Sequence, residues 1–291
     1  MAYHTRLPTR QPSNPVLVVH LDGWVDAGLG GATAVASLLE AGPTETVALW
    51  DSEELIDMRA RRPIVKIVDG MNVGLTWQEI RLLLTTDRSA NDMLLLVGPE
   101  PDVRWKTFAG EVVELARQLG VRMVVGLGAF PAPVPHTRPV RLASTATDES
   151  LAMRVGFVPG IIEVPAGANA VLEDAFRDTG IPAVGLWARV PHYVAALPYP
   201  AAASALVGGL AMVAGLSLDT TELDTAADAA LQRVEALIAN STDHQAMVRQ
   251  LESTVDSSEG NPLQLGEIPS GDELAAELQR FLRGEQPGSG G

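Results

Sequence analysis

Six short runs in this chain are dominated by β-branched and leucine side chains, at residues 15–21, 46–50, 63–68, 93–97, 121–127 and 183–188. Runs that are apolar at consecutive positions need cover on both sides, as buried parallel strands have, whereas a half-solvated strand alternates apolar with polar residues. The intervening segments supply that cover. Asp26 is placed to cap a helix over residues 27–41, which Gly42-Pro43 stops. Val103, Phe108, Val112, Leu115, Ala116 and Leu119 recur at helical spacing. Residues 168–179 form a further helical segment closed by Gly180-Ile181-Pro182, and an Ala- and Gly-rich helix follows Pro200. The pattern also predicts a helix over 76–84 and a strand over 142–147. Alternation of this kind specifies an α/β fold: a central, largely parallel sheet with helices on both faces.

With 291 residues the chain is long enough for one large α/β domain with an appendage. Its 36 acidic against 21 basic residues give a net charge of −15, which repels nucleic acid and anionic lipid alike. Cysteine is absent, so disulfides, thiolate nucleophiles and Cys-based zinc sites are excluded. The polar, proline-broken start, Met1-Ala2-Tyr3-His4-Thr5-Arg6-Leu7-Pro8, lacks the apolar core of a signal peptide, and the expected location is the cytoplasm. Residues 201–216 are the most apolar stretch but fall short of the roughly 20 residues that span a bilayer. Composition changes near residue 219. From there on, 14 acidic residues face four basic ones, so −10 of the −15 lies in this region. The expected organisation is an α/β core over 1–218, an acidic helical region over 219–284 and a disordered tail over 285–291. Two amphipathic helices joined around Asn240-Ser241-Thr242, and a third opened by the capping box Ser270-Gly271-Asp272-Glu273, make up the acidic region.

Three of the apolar runs end in proline-framed knots of charged and aromatic residues: Gly98-Pro99-Glu100-Pro101-Asp102-Val103-Arg104-Trp105, Pro135-His136-Thr137-Arg138-Pro139, and Arg189-Val190-Pro191-His192-Tyr193. Parallel strands place their carboxyl ends on one edge, where α/β proteins bind ligands, so the three knots are expected to meet there. Glu100 and Arg104 lie on a strand-to-helix turn. Arg104 either donates to an anion beside the helix N-terminus or pairs with Glu100 or Asp102 to staple the turn. His136 and Arg138, between two prolines, are expected in an extended segment with both side chains on one side, fit for an oxyanion or for proton transfer. His192 and Tyr193 add a second imidazole and a phenol. Asp22 and Asp26 flank Trp24 in the first loop, and either is a candidate general base beside its turn or capping role.

Other motifs point away from familiar chemistry. Gly28-Leu29-Gly30-Gly31 has the spacing of neither the dinucleotide fingerprint nor the P-loop, and no Gly-x-Ser-x-Gly elbow occurs. Neither HxH nor HExxH spacing is present, so no metal and no cofactor is expected. The ligand-binding candidates are Glu100, Arg104, His136, Arg138, His192, Tyr193 and Asp22.

Read in order, the three knots resemble the proteasome assembly chaperone 2 family in its actinobacterial branch. Asp22-Gly23-Trp24-Val25-Asp26-Ala27-Gly28, Arg61-Arg62-Pro63 and Pro269-Ser270-Gly271-Asp272-Glu273-Leu274 extend the likeness from about Pro15 to Arg283. The resemblance implies a core similar to purine nucleoside phosphorylases, C-terminal helices, assembly into homo-oligomers with a trimer favoured, and protein partners such as proteasome subunits. Ring-docking proteins often end in a hydrophobic-Tyr-any signature, whereas this sequence ends Gln286-Pro287-Gly288-Ser289-Gly290-Gly291, so docking through the folded surface is expected. Two functions follow: a non-catalytic assembly chaperone or interaction scaffold, and a phosphorylase- or hydrolase-like enzyme holding a phosphorylated or nucleoside-like molecule at the sheet's carboxyl edge.

Overall fold

The structure, a computed structural model, describes residues 3–5 and 8–258. The strands are β1 (Tyr3–Thr5), β2 (Val16–Asp22), β3 (Glu45–Trp50), β4 (Ile64–Val68), β5 (Met71–Thr76), β6 (Arg81–Thr86), β7 (Asp92–Pro99), β8 (Met123–Ala132), β9 (Leu142–Ala146) and β10 (Ala183–Pro191). The helices are α1 (Gly30–Glu40), α2 (Ser52–Leu55), α3 (Trp105–Gln118), α4 (Glu149–Val155), α5 (Ala168–Phe176), α6 (Pro200–Ala214), α7 (Thr221–Ala239) and α8 (Thr242–Ser258). Eight strands form one mixed sheet in the order β1-β3-β6-β7-β2-β8-β10-β9, while among the described residues β4 and β5 pair only with each other. The centre β7-β2-β8-β10 is parallel; β6 and β9 run antiparallel to β7 and β10, and β1 and β3 continue the sheet beyond β6.

Alternate residues of the central strands feed two cores. Val16 and Val18 of β2, Leu95 of β7, Val125 and Leu127 of β8, and Leu186 of β10 pack under α1 and α6. On the other face, Leu17 and Val19 of β2 and Leu94 and Leu96 of β7 pack under α3 and α5, against Phe108 and Leu172. Helices therefore cover both faces, as the consecutive apolar positions require. The chain leaves β2 to form α1 on one face and leaves β7 to form α3 on the other, crossing over β2 to reach β8. The carboxyl end of β2 is thus a point where connections diverge, the usual location of a crevice in such sheets.

Two expectations are corrected. The segment over 76–84 is not a helix: its second half is β6, whose Leu82 and Leu84 enter one core while Leu83 enters the other, a two-sided burial that period-2 geometry provides. The knot around Pro135 is a turn at His136-Thr137 rather than an extended segment. The strand expected over 63–68 forms, but away from the main sheet. Every residue of the β4-β5 hairpin is exposed, including Ile64, Ile67, Met71, Val73 and Leu75.

In the acidic region, α7 and α8 form and turn at Asn240-Ser241, as the periodicity predicts. Leu223 and Val234 of α7 join the core beneath α6. The helix expected from Ser270 and the tail over 285–291 lie outside the described residues. Among the described residues, no helix is long and apolar enough to cross a membrane.

Leu95 is fully buried in the middle of β7. Truncation there leaves a cavity that the covered sheet cannot collapse, so Leu95→Ala should lower unfolding stability by about 2–5 kcal/mol in urea titration.

Candidate functional site

The three knots share the sheet's carboxyl edge, but their side chains form two separate groups. The first surrounds the ends of β2 and β7. Asp22 accepts a hydrogen bond at its carbonyl from the Glu100 N–H, 2.8 Å away, which aligns the two loops. The Glu100 carboxylate lies over Gly23 and accepts from the Ala168 N–H at 3.0 Å, so it caps α5 at the end where the helix dipole favours a negative charge. Arg104 occupies a left-handed backbone position (φ 60°) just before α3 and pairs with Glu54. The partner expected for Arg104 within its own turn, Asp102, instead accepts from Arg61 Nε at 3.2 Å and from the Asp57 N–H at 2.8 Å. Asp26 caps α1, with its two carboxylate oxygens accepting from Gly31 N–H at 2.7 Å and Ala32 N–H at 2.9 Å.

His20 belongs to this group and was missed by the sequence reading. It is buried near the end of β2, where its Nδ1 donates to the Leu127 carbonyl at 3.0 Å. Its Nε2 lies 3.3 Å from Asp22 Oδ1 and 3.8 Å from Asp26 Oδ2. Burial opposes the charge, but the Asp22 carboxylate, the Leu127 carbonyl and Asp26 outweigh it, and the imidazole pKa is raised. Gly31 is required above it: a Cβ there would sit 2.5 Å from Nδ1. The available signal was the His-x-Asp spacing of residues 20 and 22, which points both side chains to one side of the strand.

The second group lies at the ends of β8 and β10. His136 is buried; its backbone N–H donates to the Tyr193 hydroxyl at 2.8 Å, and its Nδ1 lies within hydrogen-bond distance of the same oxygen at 2.7 Å. Burial lowers the His136 pKa, against the pull of Glu235 and Glu252, and burial raises that of the Tyr193 phenol. His192 packs edge-on against the Tyr193 ring at 5.3 Å. Arg138 reaches α8, giving Asp256 a bidentate pair at 2.8 and 2.7 Å with Glu252 at 3.4 Å. The two groups are tied through Gly28, whose N–H donates to the Ala195 carbonyl at 2.7 Å and whose carbonyl accepts from the Tyr199 N–H at 2.8 Å.

Two crevices open among these elements. One of ≈ 20 Å³ is lined by Pro135, Arg138, Arg141, Arg189 and Tyr199, among others; one of ≈ 10 Å³ is lined by Asn169, Glu173, Gly185 and Trp187, among others. Each has room for about one water, far below the roughly 300 Å³ of a pocket that engulfs a metabolite. In the second crevice, Glu173 accepts from Thr145 Oγ1 at 2.6 Å, and burial raises its pKa. Among the described residues, no three His, Asp or Glu side chains are grouped to hold a metal ion.

Mixed-sheet architecture, a helical cap pinned to the carboxyl edge and an outlying hairpin define a class of α/β protein whose loops are closed by their own ion pairs. The chain belongs to the PAC2 family, which matches residues 20–238. It is similar to a Corynebacterium glutamicum protein of unknown function, with 32% identity over 89% of this chain and 99% of that one and a TM-score of 0.84. Mycobacterium tuberculosis Rv2714, also of unknown function, shares 34% identity over 89% of this chain and 92% of its own, with a TM-score of 0.83. Rv2125, a proteasome-assembly chaperone homologue from the same organism, shares 33% identity over 80% of this chain and 99% of its own, with a TM-score of 0.75. No curated protein matches the chain.

The two buried histidines should titrate in opposite directions from the ordinary value of 6.5, His20 above and His136 below, by NMR of the ring protons. The signs carry into stability. His20 contributes stability fully present below pH 6.5 and lost as pH rises through its folded pKa. The fold loses stability at His136 as pH falls from 6.5 through its lowered pKa, because there the unfolded chain binds the extra proton. His20→Asn should abolish the first dependence and His136→Asn the second. Asp256→Asn should speed hydrogen exchange in α8 while leaving the central strands protected.

Proposed function

We propose that this chain is a non-catalytic, homo-oligomeric assembly chaperone or interaction scaffold of the cytoplasm, with proteasome subunits as the protein partners. The observation that carries the reading is the β4-β5 hairpin. An isolated two-stranded hairpin is marginal in water, yet this one presents Ile64 at 64%, Ile67 at 62% and Met71 at 65% exposure on an arm that pairs with no strand of the main sheet. With Val65, Val68, Val73, Leu75 and Trp77 the arm exposes on the order of 800 Å² of apolar residues, the per-partner area of a standard interface.

A second apolar strip, Phe157, Ile161, Ile162 and Val164, is exposed on the same chain, Ile161 at 96%. An arm and a separate strip on every copy satisfy each other head to tail, and where the rotation between copies closes such contacts build a ring, in this reading a trimer. The arm and its approach also lean basic, with Arg59, Arg62 and Lys66 against Asp57 and Asp69 once Arg61 is paired with Asp102, in a chain of net charge −15. A neighbouring copy therefore attracts it. In this reading the core over 1–218 builds the ring, and the acidic region from 219 presents the partner surface. Similarity to Rv2125 supports the proteasome as the assembly concerned. The self-satisfied pairs of Glu100, Arg104, His136 and Tyr193 fit a scaffold better than a reaction centre, and the ≈ 20 Å³ crevice is too small for a nucleoside.

Size-exclusion chromatography with light scattering should find a trimer that Ile64→Asp combined with Ile67→Asp and Met71→Asp converts to a folded monomer. Purified proteasome subunits should co-purify with the wild type. A monomeric wild type that turns over a small molecule and retains no subunit would overturn the reading.

A further inference from the structure

Residues 157–166 join α4 to α5 without regular structure, and among the described residues none of their backbone N–H or carbonyl groups is hydrogen-bonded. Gly160, at φ 104°, turns the chain into the run Ile161-Ile162-Glu163-Val164, and Pro165 closes it, holding Val164 extended. The run contains no proline, so it keeps every N–H that a strand donates, and its three apolar side chains are exposed. The β4-β5 hairpin has the matching deficit. Its tight turn has positive φ at both central residues, Asp69 at 49° and Gly70 at 81°, as the natural twist of a hairpin requires. The bulge in its pairing puts the extra residue, Val73, on β5 and leaves β4 regular. Along the outer edge of β4, alternate N–H and carbonyl groups face away from β5, and among the described residues no strand lies beside them.

We infer that Ile161–Val164 of one copy adds to the outer edge of β4 of a second copy as a third, antiparallel strand. This rests on the reading of the hairpin as the arm that joins copies, and it names the backbone contact that does so. Side chains fix the register. With Glu163 opposite Lys66, Ile161 faces Val68, Ile162 faces Ile67 and Val164 faces Val65, so apolar residues meet apolar ones and the two charges meet each other. A shift of one residue either way sets both charges against apolar side chains. Lys66 and Glu163 are exposed, and among the described residues neither has an ion-pair partner. Two strands alone are marginal in water, and a third is the usual minimum for a stable sheet. Strip and arm do not pair within one chain, so the third strand comes from another copy.

Amide hydrogen exchange of the full chain, read by mass spectrometry above and below the assembly concentration, tests it. Peptides covering 161–164 and 64–68 should both exchange about 10-fold or more slowly in the assembled state than in the diluted one. Glu163→Lys and Lys66→Glu should each raise the concentration of half dissociation about 3–30-fold in analytical ultracentrifugation. The double variant should regain wild-type assembly, because the swap restores an opposite-charge pair. Assembly with 161–164 unprotected, or a double variant that assembles no better than either single one, would overturn the inference and leave the oligomeric reading standing. A wild type that is monomeric at every concentration would overturn the oligomeric reading and the inference together. Protection of 64–68 that appears only on adding proteasome subunits would give the β4 edge to that partner, which also overturns the inference.

Discussion

Both faces of the β7-β2-β8-β10 centre are packed under helices, and this double burial is what the remaining architecture answers to. Each of these strands needs two kinds of neighbour, the α1 and α6 helices over one set of side chains and the α3 and α5 helices over the other. Covering both faces in one chain requires crossovers on both sides, and those crossovers deliver the loops after β2, β7, β8 and β10 to one edge. The polar knots lie there because the sheet interior has no hydrogen-bonding groups to spare for them.

Once gathered, the knots do not merge. Glu100 is bound to the start of α5, Arg104 to Glu54, Arg138 to α8 and His136 to Tyr193. Each pairing satisfies a charge or a polar group that the tight proline-framed backbone would otherwise hold unpartnered, which closes the edge on itself. Closure at one end contrasts with the β4-β5 arm, whose apolar residues have no cover among the described residues. The asymmetry gives the molecule one end that is internally complete and one element that calls for another surface.

Much of the fold was legible from local pattern. The runs at 93–97, 121–127 and 183–188, the helices α3 and α6, and the Asp26 cap are all stated by periodicity and capping chemistry over a few residues. Residues 82–84 were not, because three consecutive leucines satisfy a helix as readily as a strand buried on both sides, and only the presence of two cores decides between them. His20 escaped because a histidine inside an apolar run reads as core; its role comes from Asp22, Asp26 and the Leu127 carbonyl, the last of them 107 residues away. The pairing of Arg141 with Arg189 depends on the register of β9 against β10, which no local rule specifies.

By itself, then, the order of residues determined which segments are strands or helices and which loops carry polar chemistry, because backbone propensity, capping and turn geometry act within a few residues. Its ordered motifs also determined the family. Tertiary structure alone decided how those loops are partnered, that the edge holds two closed groups and an arginine-lined crevice, and that the hairpin stands uncovered among the described residues. The physical reason is range: charge pairing and packing depend on distances in space between residues far apart along the chain, and those distances exist only once both faces of the sheet have been covered.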